Sequence, residues 1–373
     1  MNYQLIHTNQ QLAEVCAEAR QKTAVALDTE FVRTRTYYPQ LGLIQLFDGS
    51  LLTLIDPLGI SDWEPFKALL SDVQVVKYLH AGGEDLEVFL NRFGVLPEPM
   101  VDTQILAAFL GFPMSLGFAA MVSEFEGVTL DKSESRTDWL ARPLSERQCE
   151  YAAADVWYLL PIAQKLHQQA EEQQVLADAL SECTMLCERR RDILPADQAW
   201  IDISQAWQLR PLQLAALQKL AEWRLNYARR KDMAVNFVVK EENLWKVARY
   251  MPGSLGELHE MGLAGPEIRF HGDTLLRLVA QAKEAPEESY PLPLKNLIEC
   301  PGYKALFKDL KACIKSISDR TGFSQELLAS RRQINQVLSE HWKIKPVSRT
   351  PELLKGWRGK LMEQEITAII DGK

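Results

Sequence analysis

The sequence of 373 residues lacks several features that would each define a class of protein. No apolar run approaches the roughly 18 residues that a membrane-spanning helix requires, so we expect no membrane partner. The first residues, Met1-Asn2-Tyr3-Gln4, lack the basic start and the small-residue cleavage site of a signal peptide. These absences predict a cytoplasmic protein.

Cysteine is scarce, and the six thiols are scattered along the chain. This distribution favours reduced thiols in a cytosol over a disulfide framework. Cys183 and Cys187 could share a helix face, but no histidine or second cysteine pair accompanies them, so we expect no zinc site. The six are Cys16, Cys149, Cys183, Cys187, Cys300 and Cys313.

Positive charge is also in short supply, since the formal net charge is −8. Residues 1–195 hold 15 basic and 28 acidic side chains, a balance of −13, whereas residues 196–373 hold 27 and 22, a balance of +5. An acidic half followed by a basic half indicates two functions in one chain. Ordinary solvated surfaces would give the same totals, so charge alone leaves both interpretations open.

The first half alternates between strand and helix patterns. Residues 24–27 form a short apolar run typical of a buried strand. Asp48-Gly49 lies between apolar runs over residues 41–47 and 51–55, which predicts a hairpin. Residues 73–79 predict a further strand.

Helices in this half are predicted from their ends. Ser61 and Glu64 form a capping box for a helix through residue 70, and Ser145 and Gln148 form another at the start of a long helix. Gly94 predicts a left-handed cap after residues 84–93. Two more helices are predicted over residues 103–109 and 116–125. The pattern is that of an α/β domain, a mixed sheet of an early meander plus crossover strands with flanking helices.

Strand patterns stop at about Asp192. Apolar and aromatic residues then recur every three or four positions, for example from Leu214 to Tyr227, as in an amphipathic helix. The proline-rich residues 286–293 indicate a linker that divides this helical region. We therefore predict an α/β domain over residues 1–195, followed by two small all-α helical bundles over residues 200–285 and 294–373.

Asp28-Thr29-Glu30 directly follows the apolar run of residues 24–27. Residues i and i+2 of a strand point to the same face, so Asp28 and Glu30 should project side by side from the end of a buried strand. Such a pair repels itself and raises one pKa, and a divalent cation removes that cost. The motif therefore indicates a metal site.

Two further segments supply carboxylates. His80-Ala81-Gly82-Gly83 permits a tight strand-to-helix turn that places Asp85 in the first helical turn, where the helix dipole alone would also favour an acid. Tyr151 and Asp155 lie four residues apart in the helix that begins at Ser145. They share a face, although a simple hydrogen-bonded pair would explain them too.

Four carboxylates thus come from a strand end, a helix start and a helix face. An all-oxygen site suits Mg²⁺ or Mn²⁺. Two such ions ~4 Å apart can stabilise both the attacking and the leaving oxygen when a phosphodiester is cleaved. The sequence contains no P-loop, nucleophile elbow or H-E-x-x-H motif, so the common rival mechanisms lack their parts.

The order Asp-x-Glu, Asp, Tyr-x-x-x-Asp resembles the DEDD superfamily of 3′→5′ exonucleases, in its tyrosine-bearing branch. Residues 37–46 and 132–144, with Arg136, Asp138-Trp139 and Arg142-Pro143, are similar to the bacterial ribonuclease D family. The basic half resembles two HRDC domains, helical modules that this family shares with RecQ-family helicases. Gly82-Gly83 departs from the polar residue that many relatives have there, which affects secondary contacts but not Asp85.

The resemblance implies a ribonuclease H-like sheet and a site for two divalent cations. It assigns Asp28, Glu30 and Asp155 to one ion, and Asp28 with Asp85 to the other. It also assigns to Tyr151 the orientation of the attacking water, which agrees with chemistry because a phenol of pKa ~10 is a poor base near neutral pH. The implied activity is 3′→5′ exoribonuclease, releasing nucleoside 5′-monophosphates, with tRNA precursors as substrates. Nothing in the sequence suggests an obligate oligomer, so we expect a monomer.

Candidates for substrate contact lie in both halves. Thr29 and Phe31 flank Glu30, and Phe31 could stack on the terminal base or simply belong to the core. Arg229-Arg230-Lys231 is a compact basic run that phosphates could contact, although a solvated helix surface would look the same. Arg331-Arg332 and Lys343 with Lys345 add further cations.

Two alternative functions stay open at this point. The same site would serve a proofreading or repair exonuclease that acts on DNA. A non-catalytic nucleic-acid-binding protein could also retain a nuclease fold as a scaffold.

Overall fold

The computed structural model describes residues 1–372 and begins with an α/β part. Its six strands are Gln4–Ile6 (β1), Ala24–Val32 (β2), Gln40–Phe47 (β3), Leu52–Ile55 (β4), Val76–Leu79 (β5) and Met100–Asp102 (β6). They form one sheet in the order β1-β4-β3-β2-β5-β6. β2, β3 and β4 are antiparallel neighbours, and the other pairs are parallel. The predicted mixed sheet, a meander plus crossover strands, is confirmed.

The hairpin between β3 and β4 turns at Asp48-Gly49, as predicted. Asp48 Oδ1 accepts hydrogen bonds from the backbone N–H groups of Ser50, at 2.7 Å, and Leu51, at 2.6 Å. Gly49 has a φ of 88°, a conformation that glycine adopts without strain.

Seven helices accompany the sheet. They are Asn9–Ala19 (α1), Glu64–Ser71 (α2), Gly83–Phe93 (α3), Thr103–Phe109 (α4), Phe118–Glu126 (α5), Glu146–Glu172 (α6) and Leu176–Arg191 (α7). The left-handed cap at Gly94 and the capping box of Ser145 with Gln148 are confirmed.

Three local predictions were wrong. The capping box at Ser61 does not form, because α2 begins at Glu64, with Trp63 as its N-cap. The Ser61 hydroxyl accepts a hydrogen bond from Asn9 instead. The strand predicted over residues 73–79 begins at Val76, after a turn. β2 continues to Val32, beyond the predicted end at residue 27, because its pairing with β3 runs on past the two acidic residues.

The second half is helical, and within residues 1–372 no strand follows β6. One block contains Pro211–Lys231 (α8), Val235–Val238 (α9), Glu241–Tyr250 (α10), Leu255–Glu260 (α11) and Gly265–Glu284 (α12). The other contains Tyr303–Thr321 (α13), Gln325–Leu328 (α14), Arg331–His341 (α15) and Gly356–Asp371 (α16). Among the residues described, no helix combines the length and apolar character that crossing a membrane would require.

The buried apolar residues form two cores. The larger core joins the sheet and its helices to the C-terminal block; for example, the ring of Phe109 on α4 lies 4.8 Å from that of Trp357 on α16. The smaller core lies within residues 200–282. This sharing of a core was not predicted from the sequence. The division into three domains at the stated boundaries stays a prediction.

Candidate metal centre

Asp28 and Glu30 lie inside β2, near the middle of the sheet. In the pairing with β3, Asp28 is opposite Gln45 and Glu30 is opposite Leu43. Alternate residues of a strand share a face, so both carboxylates project from the same side. The sequence-based prediction of a side-by-side pair therefore agrees with the register, although the pair lies within the strand and not at its end.

Asp155 reaches the same place from α6. This helix packs against β2, and Ala152 and Ala153 are fully buried, so their small side chains permit a close approach. One oxygen each of Asp28, Glu30 and Asp155 lie within 4.8 Å of one another. Three of the four predicted metal ligands are thus gathered in a space that one ion could bridge.

Asp85 lies beside this group, in the first turn of α3. Its Oδ1 accepts a hydrogen bond from the backbone N–H of Thr29, at 3.1 Å, and another from the Thr29 hydroxyl. The charge of Asp85 also contributes to the raised pKa of Asp28 and Glu30. Thr29 therefore orients a carboxylate, and its predicted contact with substrate stays a prediction.

Asp102 fixes the turn that leads to Asp85. Its carboxylate is 1% exposed and accepts hydrogen bonds from the backbone N–H groups of Ala81, at 3.0 Å, Gly82, at 2.9 Å, and Gln104, at 2.8 Å. This role was missed from the sequence. The available signal was an acid just before a predicted helix, which indicates an N-cap and nothing more.

Burial is the largest cause that raises the pKa of all four carboxylic acids. Repulsion within the group adds to the rise at Asp28, Glu30 and Asp155, whereas at Asp85 the added repulsion comes from Asp102. The pKa of Asp85 rises to about 6, that of Asp155 to about 8 and that of Glu30 to about 9, and that of Asp28 lies well above its usual value. The rise is smaller at Asp85 because the hydrogen bonds from Thr29 favour its charged form. Without a cation, the group therefore retains protons at neutral pH.

These side chains fit a site for divalent cations. All donors are carboxylate oxygens, which suit Mg²⁺ or Mn²⁺, and a bound cation offsets the repulsion that raises their pKa. Gln45 supports the same conclusion: it is fully buried, and its amide completes no hydrogen bond of standard geometry within residues 1–372. It nevertheless lies close enough to Glu30 to oppose the rise in its pKa. A buried amide with spare capacity fits a site that gains a cation and its water ligands.

Tyr151 lies one helical turn before Asp155. Burial, followed by the charges of Asp155, Glu30 and Asp28, raises the pKa of its phenol. Its ring lies 6.1 Å from that of the buried Trp139, at a tilted angle. The phenol stays protonated at neutral pH, so it can orient a water molecule but cannot act as the base.

A cleft opens next to these two residues. Its cavity of about 290 Å³ is lined by Tyr151, Asp155, Phe118, Arg147 and the segment of residues 130–135. The exposed Lys132 lies in this lining and forms no ion pair within residues 1–372. The cleft provides space for the end of a chain-like substrate beside the carboxylates.

Arg142 holds the loop between α5 and α6, whose residues 130–135 form one wall of the cleft. Its guanidinium donates to both carboxylate oxygens of Asp56, at 2.7 and 2.9 Å, to the Gly42 carbonyl at 2.7 Å and to the Trp139 carbonyl at 2.9 Å. A Cβ at Gly42 would lie 2.6 Å from the Trp139 oxygen, so this approach requires glycine. Arg142 was noted in the sequence only as part of a family stretch, because its partners are distant along the chain.

The tentative substrate contacts lie in different environments. Phe31 is half-buried at the irregular point of β2. Arg229 faces the α/β part, where it donates to the Leu194 carbonyl at 2.8 Å and to the Tyr37 hydroxyl at 3.2 Å. Arg230 and Lys231 are exposed. Their contact with substrate stays a prediction.

Comparison with known proteins agrees with this geometry. Residues 3–171 match the protein-family model described as 3′-5′ exonuclease, residues 213–279 that of the HRDC domain, and residues 301–366 that of the ribonuclease D C-terminal HRDC domain. The fold and site therefore define a metal-dependent 3′→5′ exonuclease that carries HRDC domains.

The relatives give the family. The chain is 63% identical to ribonuclease D of Escherichia coli K12 over 98% of each chain, and 62% identical to that of Serratia proteamaculans strain 568 over the full length of both. The solved structure of E. coli RNase D, described as an exoribonuclease involved in structured RNA processing, matches with a TM-score of 0.98 over 100% of this chain and 99% of that one, at 62% identity. This chain belongs to the ribonuclease D family.

The predictions of fold class and enzyme class are confirmed by this membership. The chain is an exoribonuclease that depends on divalent metal and acts on RNA. The alternatives of a DNA exonuclease and of a non-catalytic scaffold lose their basis.

Proposed function

We propose that this protein hydrolyses RNA from its 3′ end by a two-metal mechanism and releases nucleoside 5′-monophosphates. The observation that carries the proposal is the convergence of Asp28, Glu30 and Asp155, whose ligand oxygens lie within 4.8 Å of one another beside the anchored Asp85. Asp28, Glu30 and Asp155 would hold one cation, and Asp28 with Asp85 the second. When bound, such ions supply a hydroxide nucleophile and stabilise charge on the attacking and leaving oxygens.

The protein groups around the ligands orient the reactants. The hydroxyl of Tyr151 orients the attacking water. Its raised pKa keeps the phenol protonated, so it does not remove a proton from that water. Thr29 and Asp102 keep Asp85 in place through the hydrogen bonds described above. The wall held by Arg142 borders the cleft that receives the 3′ end.

We further infer that tRNA precursors with 3′ extensions are the physiological substrates. The E. coli relative is described as involved in structured RNA processing, which supports this proposal. The five site residues all come from one chain, so a monomer suffices. All six cysteines are free, which fits a cytoplasmic enzyme.

The direct test is a cleavage assay on a tRNA with a 3′ extension, in Mg²⁺, in Mn²⁺ and with EDTA. A circularised copy of the same RNA serves as the matched substrate without a 3′ end. We expect nucleoside 5′-monophosphates from the linear RNA with metal and no product from the circle. Cleavage of the circle, or release of 3′-monophosphates, would contradict the proposal.

Two variants separate the roles within the site. Asp28→Asn should abolish hydrolysis, because the proposal makes Asp28 a ligand of both ions. Tyr151→Phe should reduce turnover by about a hundredfold through loss of positioning, while the thermal stabilisation by Mg²⁺ persists. Unchanged turnover in Tyr151→Phe would remove the orienting role.

A further inference from the structure

Four lysines form a row along α13, the first helix of the C-terminal block. The lysine row consists of Lys304, Lys308, Lys311 and Lys315, all of them exposed. Spacings of four, three and four residues place them on one face of the helix. At a rise of 1.5 Å per residue, the row is about 16 Å long.

The lysine row has no structural partner in the described chain. None of its ammonium groups forms a hydrogen bond or ion pair with another residue of 1–372. Arg320, on the same helix, differs because it pairs with Glu365 at 2.7 Å. The opposite face of α13 provides the packing, through buried residues such as Leu306 and Leu310. The fold therefore does not require these charges.

A fifth cation flanks the row. Arg331, the first residue of α15, places its guanidinium 5.8 Å from the ring centre of Phe307. Phe307 lies three residues after Lys304 and four before Lys311, so all three are neighbours on the helix surface. Arg331 is exposed and, like the lysines, forms no ion pair within residues 1–372.

The positive charge of the second half belongs to this block alone. Residues 294–373 hold 15 basic and 9 acidic side chains, a balance of +6. Residues 196–293 hold 12 and 13, a balance of −1. The α/β part carries −13, so apart from bound cations it repels a polyanion.

We propose that the lysine row, with Arg331, binds the phosphate backbone of the RNA upstream of the 3′ end that enters the cleft. A basic strip without internal partners is the electrostatic footprint of nucleic-acid binding. α13 packs against α14, α15 and α16 of its own block, so the row lies apart from the catalytic sheet and serves RNA long enough to reach it. The inference rests on the proposed function, because it assumes that the substrate enters by its 3′ end.

The test removes the four charges and measures RNA binding as a function of salt. The variant carries Lys304→Gln, Lys308→Gln, Lys311→Gln and Lys315→Gln in the full-length chain, and the probe is a hairpin RNA with a single-stranded 3′ tail, in EDTA so that it is not cleaved. Each lost phosphate contact on a single strand lowers the slope of log Kd against log salt by about 0.7, so we expect a decrease of about 3. Affinity at low salt should fall by tenfold or more, whereas hydrolysis of a dinucleotide in Mg²⁺ should stay unchanged.

A matched variant removes four exposed cations from the first helical block. It carries Lys240→Gln, Arg269→Gln, Arg277→Gln and Lys283→Gln, which gives the same net charge, and we expect its salt slope to equal that of the wild type. Equal effects of the two variants, or no effect of the first, would overturn the proposal. The cleavage assay tests the proposed function separately from this surface. If the salt slope changes but no 5′-monophosphates are released, the proposed function is wrong and the RNA-binding surface stands.

Discussion

The two HRDC domains are attached to the catalytic part in different ways. The C-terminal domain contributes to the shared core, where Phe109 packs on Trp357 and Phe323, with ring centres 4.8 and 5.4 Å apart. The first domain has its own core. It meets the catalytic part through polar contacts, such as Ala234 N–H to the Arg35 carbonyl at 2.8 Å, and through Tyr37, which packs against the edge of that core. Membership of one domain family therefore predicts the fold of a module but not its energetic role.

The two domains differ in charge as well as in attachment. The C-terminal block is basic, whereas the first block is close to neutral. A domain fused to the catalytic core keeps a fixed distance from the active site, so a phosphate-binding row on it would hold the RNA at a defined position. The first domain, which is close to neutral, is attached through the loop that follows β2. This attachment brings it next to the strand that carries Asp28 and Glu30.

The largest expected effect comes from breaking the shared core. Trp357 is 2% exposed, and Trp357→Ala should cost about 3–5 kcal/mol of unfolding free energy. Because the core is shared, the loss should lower the temperature at which catalytic activity disappears. Calorimetry combined with thermal inactivation measures both.

The matched substitution lies in the core of the first HRDC domain. Leu244 is fully buried there, and Leu244→Ala should cost about 2–5 kcal/mol. It should shift a separate calorimetric transition and leave the inactivation temperature unchanged. A single transition that both variants lower equally would show that the two cores are one cooperative unit.

The next effect concerns the buried charges that join α7 of the catalytic part to α16 of the C-terminal HRDC domain. Glu182 on α7 accepts hydrogen bonds from Trp357 Nε1, at 2.8 Å, and from Arg358, which is 3% exposed. Glu182→Leu leaves Arg358 without its ion partner, although two backbone carbonyls still accept from it, so we expect a loss of about 3 kcal/mol. Denaturant unfolding measures the loss. Glu182→Gln, which keeps an acceptor oxygen, should lose less, and equal losses would argue against an electrostatic origin.

The candidate site was largely predictable from the sequence because its signals are local. Asp28 with Glu30 depends on strand alternation, Tyr151 with Asp155 on helical spacing, and the long helix on its capping box. The strands β1 and β6 received no prediction because three residues carry too little periodicity.

The remaining features depend on contacts between distant segments. Asp102 and Arg142 act on residues about 20 and 100 positions away, and nothing in their neighbourhoods announces those partners. The apolar faces of α13 and α16 have the same periodicity whichever part of the protein buries them. The sharing of the core therefore required the structure.

Metal binding should distinguish the two cores, because only the unit that holds the carboxylates gains stability from it. At a free Mg²⁺ concentration of 100 times Kd, the gain is about 2.7 kcal/mol. The transition assigned to Leu244 should not move. Calorimetry with Mg²⁺ and with EDTA measures the difference, and Asp28→Asn is the control that should lose the shift.

The pH dependence of this gain follows from the raised pKa values. The pKa of Asp155 rises from 3.8 to about 8 and that of Glu30 from 4.5 to about 9 on folding. The metal-free folded state therefore binds protons more tightly than the unfolded state, and it loses stability as pH rises from about 4 to about 9. Cations need ionised ligands, so their stabilisation should grow over the same interval. A Mg²⁺ shift that is larger at pH 6 than at pH 8 would contradict this assignment.

The smallest effect distinguishes two roles for Arg229. Its hydrogen bonds to Leu194 and Tyr37 join the first HRDC domain to the catalytic part, and losing them in Arg229→Gln should cost about 1 kcal/mol. If Arg229 serves this interface, the salt slope of RNA binding should equal that of the wild type. If it contacts a phosphate, the slope should fall by about 0.7.

Arg230→Gln is the matched control, since Arg230 is the exposed neighbour in the same basic run. A lower slope for Arg230→Gln alone would assign RNA contact to Arg230 and the interface to Arg229, so one basic run would serve both purposes.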